Sequence, residues 1–173
     1  MKKIFLALIF ISIVCTQCKS VGDSELTLDE KQSIENLIQN EINTMIEAVN
    51  KKDIKTYMEK MPLDFIIYDE NGEIITREKQ RERALRDWSI IKKTLNNQMN
   101  IDSIDYTSRD SLYVYTSQRW ERLMFQRDGI TTDTVLTTQK HKELWKKGKL
   151  GWIGYDIEEL GGNIFINGKK YKR

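Results

Sequence analysis

The stretch Thr137–Leu160, TTQKHKELWKKGKLGWIGYDIEEL, carries the pattern that decides the architecture. Residues alternate in character on both sides of a turn at Gly148-Lys149, which is typical of a β-hairpin whose side chains point to opposite faces in turn. We expect one face of the first strand to point inward, because the other face carries lysines at its centre. The inward face would hold Thr137, Gln139, His141, Glu143 and Trp145.

The same alternation predicts which residues of the neighbouring strands share this face. The strand after the turn would contribute Trp152, Gly154, Asp156, Glu158 and Leu160, and the strand before it Leu112, Val114, Thr116, Gln118 and Trp120. This register places His141, the only histidine in the chain, near Asp156. A bulge or a shift of one residue at the turn would reverse the assignment, since side chains repeat every two residues.

The residues upstream of residue 96 predict three helical segments. Thr27 and Glu30 form a capping-box pattern, and apolar residues then recur at helical spacing as far as Asn50. A short helix begins after Asp53 and stops at Pro62. A third helix is expected from Arg77 to about Leu95. Its buried stripe would be Ala84, Leu85, Trp88, Ile91 and Leu95.

The rest of the sequence predicts strands. DFIIYDENGEIIT, residues 64–76, has two β-prone runs on either side of Asn-Gly, a strong hairpin signal. Longer strands are expected at 99–107, 112–125, 130–146 and 152–160, and Gly161-Gly162 should bend the chain into a last segment, NIFINGKKY. Helices followed by an antiparallel meander indicate the α+β class.

This order of elements resembles the nuclear transport factor 2-like superfamily, which includes ketosteroid isomerases and polyketide-cyclase-like (SnoaL-like) proteins. The resemblance covers about residues 27–160, and its carriers are KKDIKTYMEKMPLDFIIYDENGEIITR (51–77) and the Thr137–Leu160 hairpin. It implies a cone-shaped barrel in which a strongly curved antiparallel sheet wraps the long helix and leaves a pocket at its open end. It implies no particular function, because folds of this kind host enzymes and binding modules alike.

The first 18 residues, MKKIFLALIFISIVCTQC, are typical of a bacterial signal peptide: two lysines precede an apolar run too short to span a membrane. Cys15 and Cys18 follow that run, in a pattern that resembles a lipoprotein signal. We expect lipidation at Cys18, with Cys15 as the alternative, and a tether over residues 19–26 before one domain at 27–173. Complete secretion is the other outcome. No other cysteine exists, so a disulfide framework is excluded for the domain.

Removal of this leader also takes away Lys2 and Lys3, which account for the net charge of +2. The remaining domain is close to neutral, whereas nucleic-acid binding needs a basic patch that neutralises several phosphates. We therefore expect no nucleic-acid partner. We expect the protein in the periplasm or at the outer membrane, with membrane contact through the lipid anchor alone.

Candidate site residues follow from the predicted inward face. We expect a ligand pocket lined by Trp88, Trp120, His141 and Asp156, with Tyr68 at the rim. A carboxylate beside His141 would orient the imidazole and could make it a general base. The alternative is a histidine bonded to a neighbouring strand or exposed among lysines. A single histidine without cysteine shows no metal-ligand spacing, so we expect no metal and no cofactor.

Asp69 is a second candidate base, because the resemblance places the general-base Asp of ketosteroid isomerases near that position. The predicted first helix, however, has no tyrosine to supply the oxyanion hole of those enzymes. Asp69 is equally explained as the first residue of its turn.

These patterns favour a non-enzymatic domain that binds a small amphipathic molecule or another envelope protein. One alternative is an isomerase, dehydratase or hydrolase that uses His141 with Asp156, or Asp69, as base. The other is a structural module with a filled pocket, in which two copies pair through a sheet face bearing Tyr113, Tyr115 and Tyr155.

Overall fold

A computed structural model describes residues 26–172, so the predicted leader and nearly all of the tether lie outside the described residues. Three helices and seven strands form an α+β architecture, as predicted. The helices are α1 (Leu28–Lys51), α2 (Ile54–Glu59) and α3 (Arg77–Ile90). The strands are β1 (Ile66–Tyr68), β2 (Ile74–Thr76), β3 (Ile91–Tyr106), β4 (Ser111–Phe125), β5 (Thr132–Gly148), β6 (Gly151–Ile166) and β7 (Lys169–Lys170). In this part of the chain no helix is long and apolar enough to cross a membrane.

The sheet is curved and has the strand order β2-β1-β6-β5-β4-β3, with β7 added beside β6. Neighbouring strands are antiparallel except β1 and β6, which run parallel. The four long strands β3 to β6 form a meander, and the short β1-β2 hairpin extends it beyond β6. This curved, unclosed sheet against three helices is the cone expected from the sequence.

The long helix α1 begins and ends as its sequence predicts. The Thr27 hydroxyl accepts the Glu30 N–H, and the Glu30 carboxylate accepts the Thr27 N–H, which completes the capping box. Lys52 ends the helix in the left-handed conformation. Gln39 attaches the middle of α1 to the sheet, because its side chain donates to the Met99 carbonyl and accepts from the Ile101 N–H.

Two apolar clusters hold the helices to the concave face. In the first, Ile38 and Ile42 of α1 pack against Leu112 and Val114 of β4, all nearly inaccessible to solvent, together with two tryptophans of the β5-β6 hairpin. The second cluster joins α2 and α3 to the β1-β2 hairpin through Tyr57, Phe65, Ile75 and Trp88. The core therefore lies at two ends of the concave face, and the space between them is where a site can form.

The predicted third helix is too long by about one turn. Helix α3 ends at Ile90, and strand β3 begins at Ile91 rather than at residue 99. The run from Ile91 to Asn97 pairs with the far end of β4, and this pairing outweighs a local helical pattern that Thr94, Asn96 and Asn97 support weakly. Leu95, predicted in the buried helical stripe, is 46% exposed on the strand, and Leu85 is also exposed.

The inward faces predicted for β4 and β5 are confirmed, but the face predicted for β6 is wrong over half its length. Tyr155 is an extra residue between the pairs Trp145–Gly154 and Leu144–Asp156. Because a one-residue bulge moves the following side chains to the other face, Asp156 and Glu158 point outward and Ile157 and Glu159 point inward. A bulge bends and twists its strand, and alternation in the sequence does not reveal where one forms.

A second extra residue, Leu160, lies between the pairs His141–Glu159 and Lys140–Gly161. It precedes the Gly161-Gly162 pair, which was predicted to bend the chain out of the sheet. Strand β6 instead continues to Ile166, and the last turn forms at Asn167-Gly168. Gly162 lies so close to β5 that a Cβ atom there would overlap the Thr138 carbonyl oxygen. The glycine thus permits close approach of two backbones inside the sheet.

The outer face is less apolar than expected for a pairing surface. The Lys142 ammonium lies over the Tyr113 ring at 4.6 Å, and the Lys146 ammonium lies over the Tyr155 ring at 4.5 Å. Tyr155 is the bulge residue itself. Two of the three tyrosines on which the predicted pairing rested are therefore partly covered by lysines of the same chain.

We predict that Gly162→Ala costs at least about 2 kcal/mol of the free energy of unfolding, since the new methyl group must push β5 and β6 apart. Gly154→Ala is the matched control: its Cβ would meet Trp145 Cε2 at 3.5 Å, an ordinary contact, and should cost less than about 1 kcal/mol. Urea unfolding of both variants measures the difference. Equal losses would contradict the close approach inferred at Gly162.

Candidate functional site

A cavity of about 290 Å³ lies between the helices and the concave face of the sheet. On the helix side, α1 contributes only apolar residues, which are Ile42, Met45, Ile46 and Val49. Helix α3 contributes the apolar Ala84 and Trp88 together with the polar Gln80, Arg83 and Asp87. The sheet side carries the polar residues Gln118, Gln139, His141, Glu143 and Glu159 among the apolar Ile67, Ile75, Met99, Trp120 and Ile157. An enclosed molecule would therefore meet hydrocarbon where it faces α1, and it would find hydrogen-bonding groups on β4, β5 and β6.

Trp88 is held rigidly on the helix side. Its ring meets Tyr57 of α2 edge to face, with ring centres 5.4 Å apart, and both rings are buried. The Gln80 amide donates to the Tyr57 hydroxyl at 2.8 Å, which gives this buried hydroxyl a hydrogen-bond partner. Burial raises the pKa of Tyr57, so its hydroxyl stays neutral.

His141 lies on β5 in the sheet wall and is 7% exposed. Its Nδ1 is 3.3 Å from the Thr116 hydroxyl of the neighbouring strand β4. Burial lowers the pKa of His141 to about 4, because the charged imidazolium would lose its hydration. The imidazole is therefore neutral near pH 7 and acts as a hydrogen-bonding group rather than a cation.

Glu143, two residues further along β5, is a buried carboxyl group that the sequence analysis did not select. Its Oε1 accepts the Thr116 hydroxyl at 2.9 Å, and its Oε2 accepts the Trp145 indole N–H at 2.9 Å. Burial raises the pKa of Glu143 to about 7, although the two hydrogen bonds oppose this shift. The group is thus poised between its neutral and ionised forms near physiological pH.

Glu159 of β6 lies directly opposite His141 in the strand register, in the place that the sequence analysis gave to Asp156. Burial raises the pKa of Glu159, while a hydrogen bond from Gln139 opposes that shift. The sheet wall therefore presents one imidazole with two carboxyl groups, one along the strand and one across it.

The predicted pocket residues divide into two groups. Trp88, Trp120 and His141 line the cavity, whereas Tyr68 and Asp156 do not. Tyr68 is 41% exposed because Ile67, its neighbour on β1, takes the inward position. Asp156 faces outward opposite Leu144 as a result of the Tyr155 bulge. The predicted pairing of His141 with Asp156 is therefore wrong.

Asp69 is also outside the cavity lining. Its carboxylate accepts the backbone N–H groups of Asn71 and Glu73, at 2.9 and 2.7 Å, and so closes the β1-β2 turn. These bonds lower the pKa of Asp69, as expected for a turn carboxylate rather than a base. The turn explanation given to Asp69 from the sequence accounts for its geometry.

A cation and two unpaired donors lie beside the cavity at Trp120. The Arg122 guanidinium stacks on the Trp120 ring at 4.1 Å, and burial lowers the pKa of Arg122 to about 10. The Trp120 indole N–H and Arg122 Nε are buried without a hydrogen-bond partner in residues 26–172. Over those same residues, no group of three His, Cys, Asp or Glu side chains is arranged to hold a metal ion.

A second cavity, of about 260 Å³, adjoins the first. It lies between the end of α2 and the β5-β6 hairpin and is lined mainly by apolar side chains, among them Phe65, Trp145 and Trp152. Met45, Glu143 and Ile157 border both cavities. Glu143 therefore lies in the partition between an amphipathic space and an apolar one.

The opposite pKa shifts of Glu143 and His141 predict opposite effects of pH. The Glu143 pKa rises from 4.5 to about 7 on folding, so its contribution to stability is lost as pH rises through that window. The His141 pKa falls from 6.5 to about 4, so its contribution is lost as pH falls through that window. Relative to wild type, Glu143→Gln should gain stability with rising pH and His141→Gln with falling pH, each by roughly 1–3 kcal/mol.

Chemical unfolding of the three proteins from pH 4 to pH 8 measures these differences. Taking differences from wild type cancels the contributions of the other carboxyl groups. If the free energy of unfolding of both variants changed with pH in the same way as that of wild type, the inferred burial of Glu143 and His141 would be contradicted.

The fold can be compared with known proteins. No protein-family model and no curated protein matches the chain. Among solved structures, a conserved protein from Planctomyces limnophilus superposes with a TM-score of 0.64 at 12% identity, over 78% of this chain and 98% of that one. A nuclear transport factor 2-like protein from Cytophaga hutchinsonii gives 0.57 at 14%, over 72% and 94%. A ketosteroid isomerase-like protein from Erwinia carotovora gives 0.56 at 14%, over 73% and 96%.

Identity at this level carries information about architecture and not about activity. Each of these structures is covered almost completely by the match, and their α+β cone agrees with the order of elements described above. Residues 26–172 therefore adopt the nuclear transport factor 2-like fold.

Proposed function

We propose that this domain binds a small amphipathic molecule in the 290 Å³ cavity, without catalysis, and that it does so in the bacterial cell envelope. The observation that carries the proposal is the contrast between the wholly apolar lining contributed by α1 and the five polar side chains contributed by β4, β5 and β6. Small-molecule sites are typically concave and largely apolar, with a few well-placed polar groups that set orientation. The cavity volume is near the lower end of such sites, which favours a compact ligand.

The chemistry of the polar wall supports recognition more than proton transfer. A general base works best with a pKa near the operating pH, and the pKa of His141 is about 4. Glu143 has a suitable pKa, but its two carboxyl oxygens bond to Thr116 and Trp145 and so are directed toward groups of the protein. The two bases considered from the sequence, Asp156 and Asp69, lie away from the cavity lining.

The envelope location is proposed from the sequence alone. Residues 4–14 form the apolar core of an export signal, and Cys15 and Cys18 follow it where a lipoprotein signal has its modified cysteine. A lipid anchor at that point would hold the cavity near a membrane surface, where amphipathic molecules are concentrated.

We predict that Cys18→Ser abolishes lipid attachment, while Cys15→Ser, the matched control, keeps it. Metabolic labelling with radioactive palmitate in a bacterial host, followed by gel analysis of the protein, measures the incorporation. Label that depends on Cys15 instead would move the modified residue to that position. Absence of label in wild type would contradict the lipid anchor and favour secretion.

We predict that wild-type domain carries a bound small molecule in native mass spectra and that Ala84→Leu reduces its occupancy at least about tenfold. Ala84 lines the cavity and is buried, so a larger side chain fills the space at a stability cost of about 1–3 kcal/mol. Leu85→Ala changes the exposed neighbour on α3 and should leave occupancy unchanged. A thermal melt confirms that both variants are folded.

A ligand retained in folded Ala84→Leu would place it elsewhere and contradict the proposal. A wild-type domain that is ligand-free, both as purified and after exposure to an envelope lipid extract, would favour the filled, structural alternative.

A further inference from the structure

A buried chain of hydrogen bonds links Trp145, Glu143, Thr116 and His141. Given the proposed ligand-binding function, the direction of these bonds determines the kind of group that a ligand presents to His141. Thr116 is 1% exposed, and its hydroxyl contacts both Glu143 Oε1, at 2.9 Å, and His141 Nδ1, at 3.3 Å. A hydroxyl has one proton, so it can donate to only one of these two neighbours at a time.

When Glu143 is ionised, both of its oxygens are acceptors. Trp145 donates to one oxygen, and the Thr116 hydroxyl must donate to the other. Thr116 Oγ1 is then an acceptor toward His141, which requires the imidazole proton to be on Nδ1. A neutral imidazole has a single N–H, so Nε2 carries a lone pair.

When Glu143 is protonated, the chain reverses. The indole N–H of Trp145 keeps Oε2 as an acceptor, so the carboxyl proton lies on Oε1 and is donated to Thr116. The Thr116 hydroxyl then donates to His141 Nδ1, and the imidazole proton moves to Nε2. The protonation state of Glu143 thus determines which imidazole nitrogen bears the proton.

Nε2 is the ring nitrogen available to the cavity. Nδ1 is engaged by Thr116, whereas Nε2 has no hydrogen bond within residues 26–172 and is not one of the two buried unpartnered atoms of that region, which belong to Trp120 and Arg122. His141 itself lines the cavity wall. A molecule in the cavity therefore meets either a lone pair or an N–H at this position.

We propose that Glu143 is a positioning residue that, through the Thr116 hydroxyl, keeps the His141 proton on Nδ1, so that Nε2 accepts a hydrogen bond from a hydroxyl or N–H group of the ligand. Protonation of Glu143 reverses this preference and makes Nε2 a donor. The ligand class is a compact apolar molecule that bears a hydrogen-bond donor.

Other titratable or charged groups also face this cavity and could influence the imidazole. They are Glu159 of β6, opposite His141, Arg83 and Asp87 of α3, and Tyr57 of α2. The cavity-lining residues of α1, β1 and β2 are apolar. Glu159 is the strongest competitor because of its position in the register, and it therefore supplies the control variant.

The single histidine makes the tautomer directly measurable. Nitrogen-15 labelling of histidine in the tag-free domain, with spectra that correlate ring protons and ring nitrogens, shows which nitrogen is protonated. Above the Glu143 pKa of about 7 we expect the proton on Nδ1. Between that pKa and the His141 pKa of about 4 we expect it on Nε2, with the ring still neutral. An Nε2 proton at high pH, or a tautomer that does not change, would overturn the proposal.

Variants distinguish a tautomer of His141 that depends on Glu143 from one that changes because the fold as a whole responds to pH. Glu143→Gln should hold the proton on Nε2 at every pH in this range, because its amide donates to Thr116 while its carbonyl faces Trp145. Thr116→Val removes the connecting hydroxyl and should abolish the change near pH 7, whereas Thr116→Ser should keep it. Glu159→Gln should behave as wild type. A tautomer that follows Glu159 instead would contradict the role of Glu143.

The ligand class is tested in the same labelled sample with 2-naphthol and 2-methoxynaphthalene. Above the Glu143 pKa, the naphthol should shift the Nε2 resonance strongly and the methyl ether should not, and Glu143→Gln should lose that preference. A shift with both compounds, or with neither, contradicts the assigned ligand class. Because the tautomer is read without ligand, failure of the binding proposal and failure of the Glu143 proposal give different results.

Discussion

The site depends on the packing of α1 across the curved sheet. Ile38 and Ile42 are buried against Leu112 and Val114, and Gln39 bonds the helix to the backbone of β3. This contact closes the cone at one end. At the other end the helix and sheet are separated by Trp88, Tyr57 and α3, so the space between them stays open. A cavity is the consequence of a helix fixed at one end of a sheet that curves away from it.

Burial of polar groups in that space costs free energy, and the hydrogen bonds that link Glu143, Thr116 and His141 reduce this cost. A buried carboxyl group without partners would cost several kcal/mol. Glu143 instead has a partner for each oxygen, and the Thr116 hydroxyl has two. Burial still raises the pKa of Glu143, so these hydrogen bonds offset only part of the free energy that the carboxylate loses on leaving water. Groups of this kind are retained where they orient something, and the cavity-facing nitrogen of His141 is the group they orient.

Most of the fold follows from local signals in the sequence, and the exceptions share one cause. The capping box at Thr27, the Asp53 cap and the Asn-Gly hairpin are properties of a few neighbouring residues, and each forms as predicted. The end of α3, the bulge at Tyr155 and the continuation of β6 past Gly162 depend on pairing between distant strands. Alternation predicts a face only while the register is regular, so it succeeds on β4 and β5 and fails on β6.

The same cause explains what the sequence revealed of the site. His141, Trp88 and Trp120 line the cavity because they lie where periodicity is undisturbed. Asp156 was placed beside His141 by a register that one extra residue changes, and Glu159 takes that position. Glu143 could have been identified, since it lies on the predicted inward face between His141 and Trp145. Glutamate is ordinarily a surface residue, so its residue type alone gives no signal that this one is a buried acid.

The position of Glu143 also bears on the shape of the space available to a ligand. Three side chains from three elements, Met45 of α1, Glu143 of β5 and Ile157 of β6, border both cavities. Met45 is flexible and makes no polar contact, whereas Glu143 is held by two hydrogen bonds. A ligand that displaced the methionine alone would extend into the apolar second cavity without breaking the bonds that orient His141. The partition is therefore rigid on its polar side and compliant on its apolar side, so the bonds that orient His141 do not depend on how the apolar part of a ligand fits.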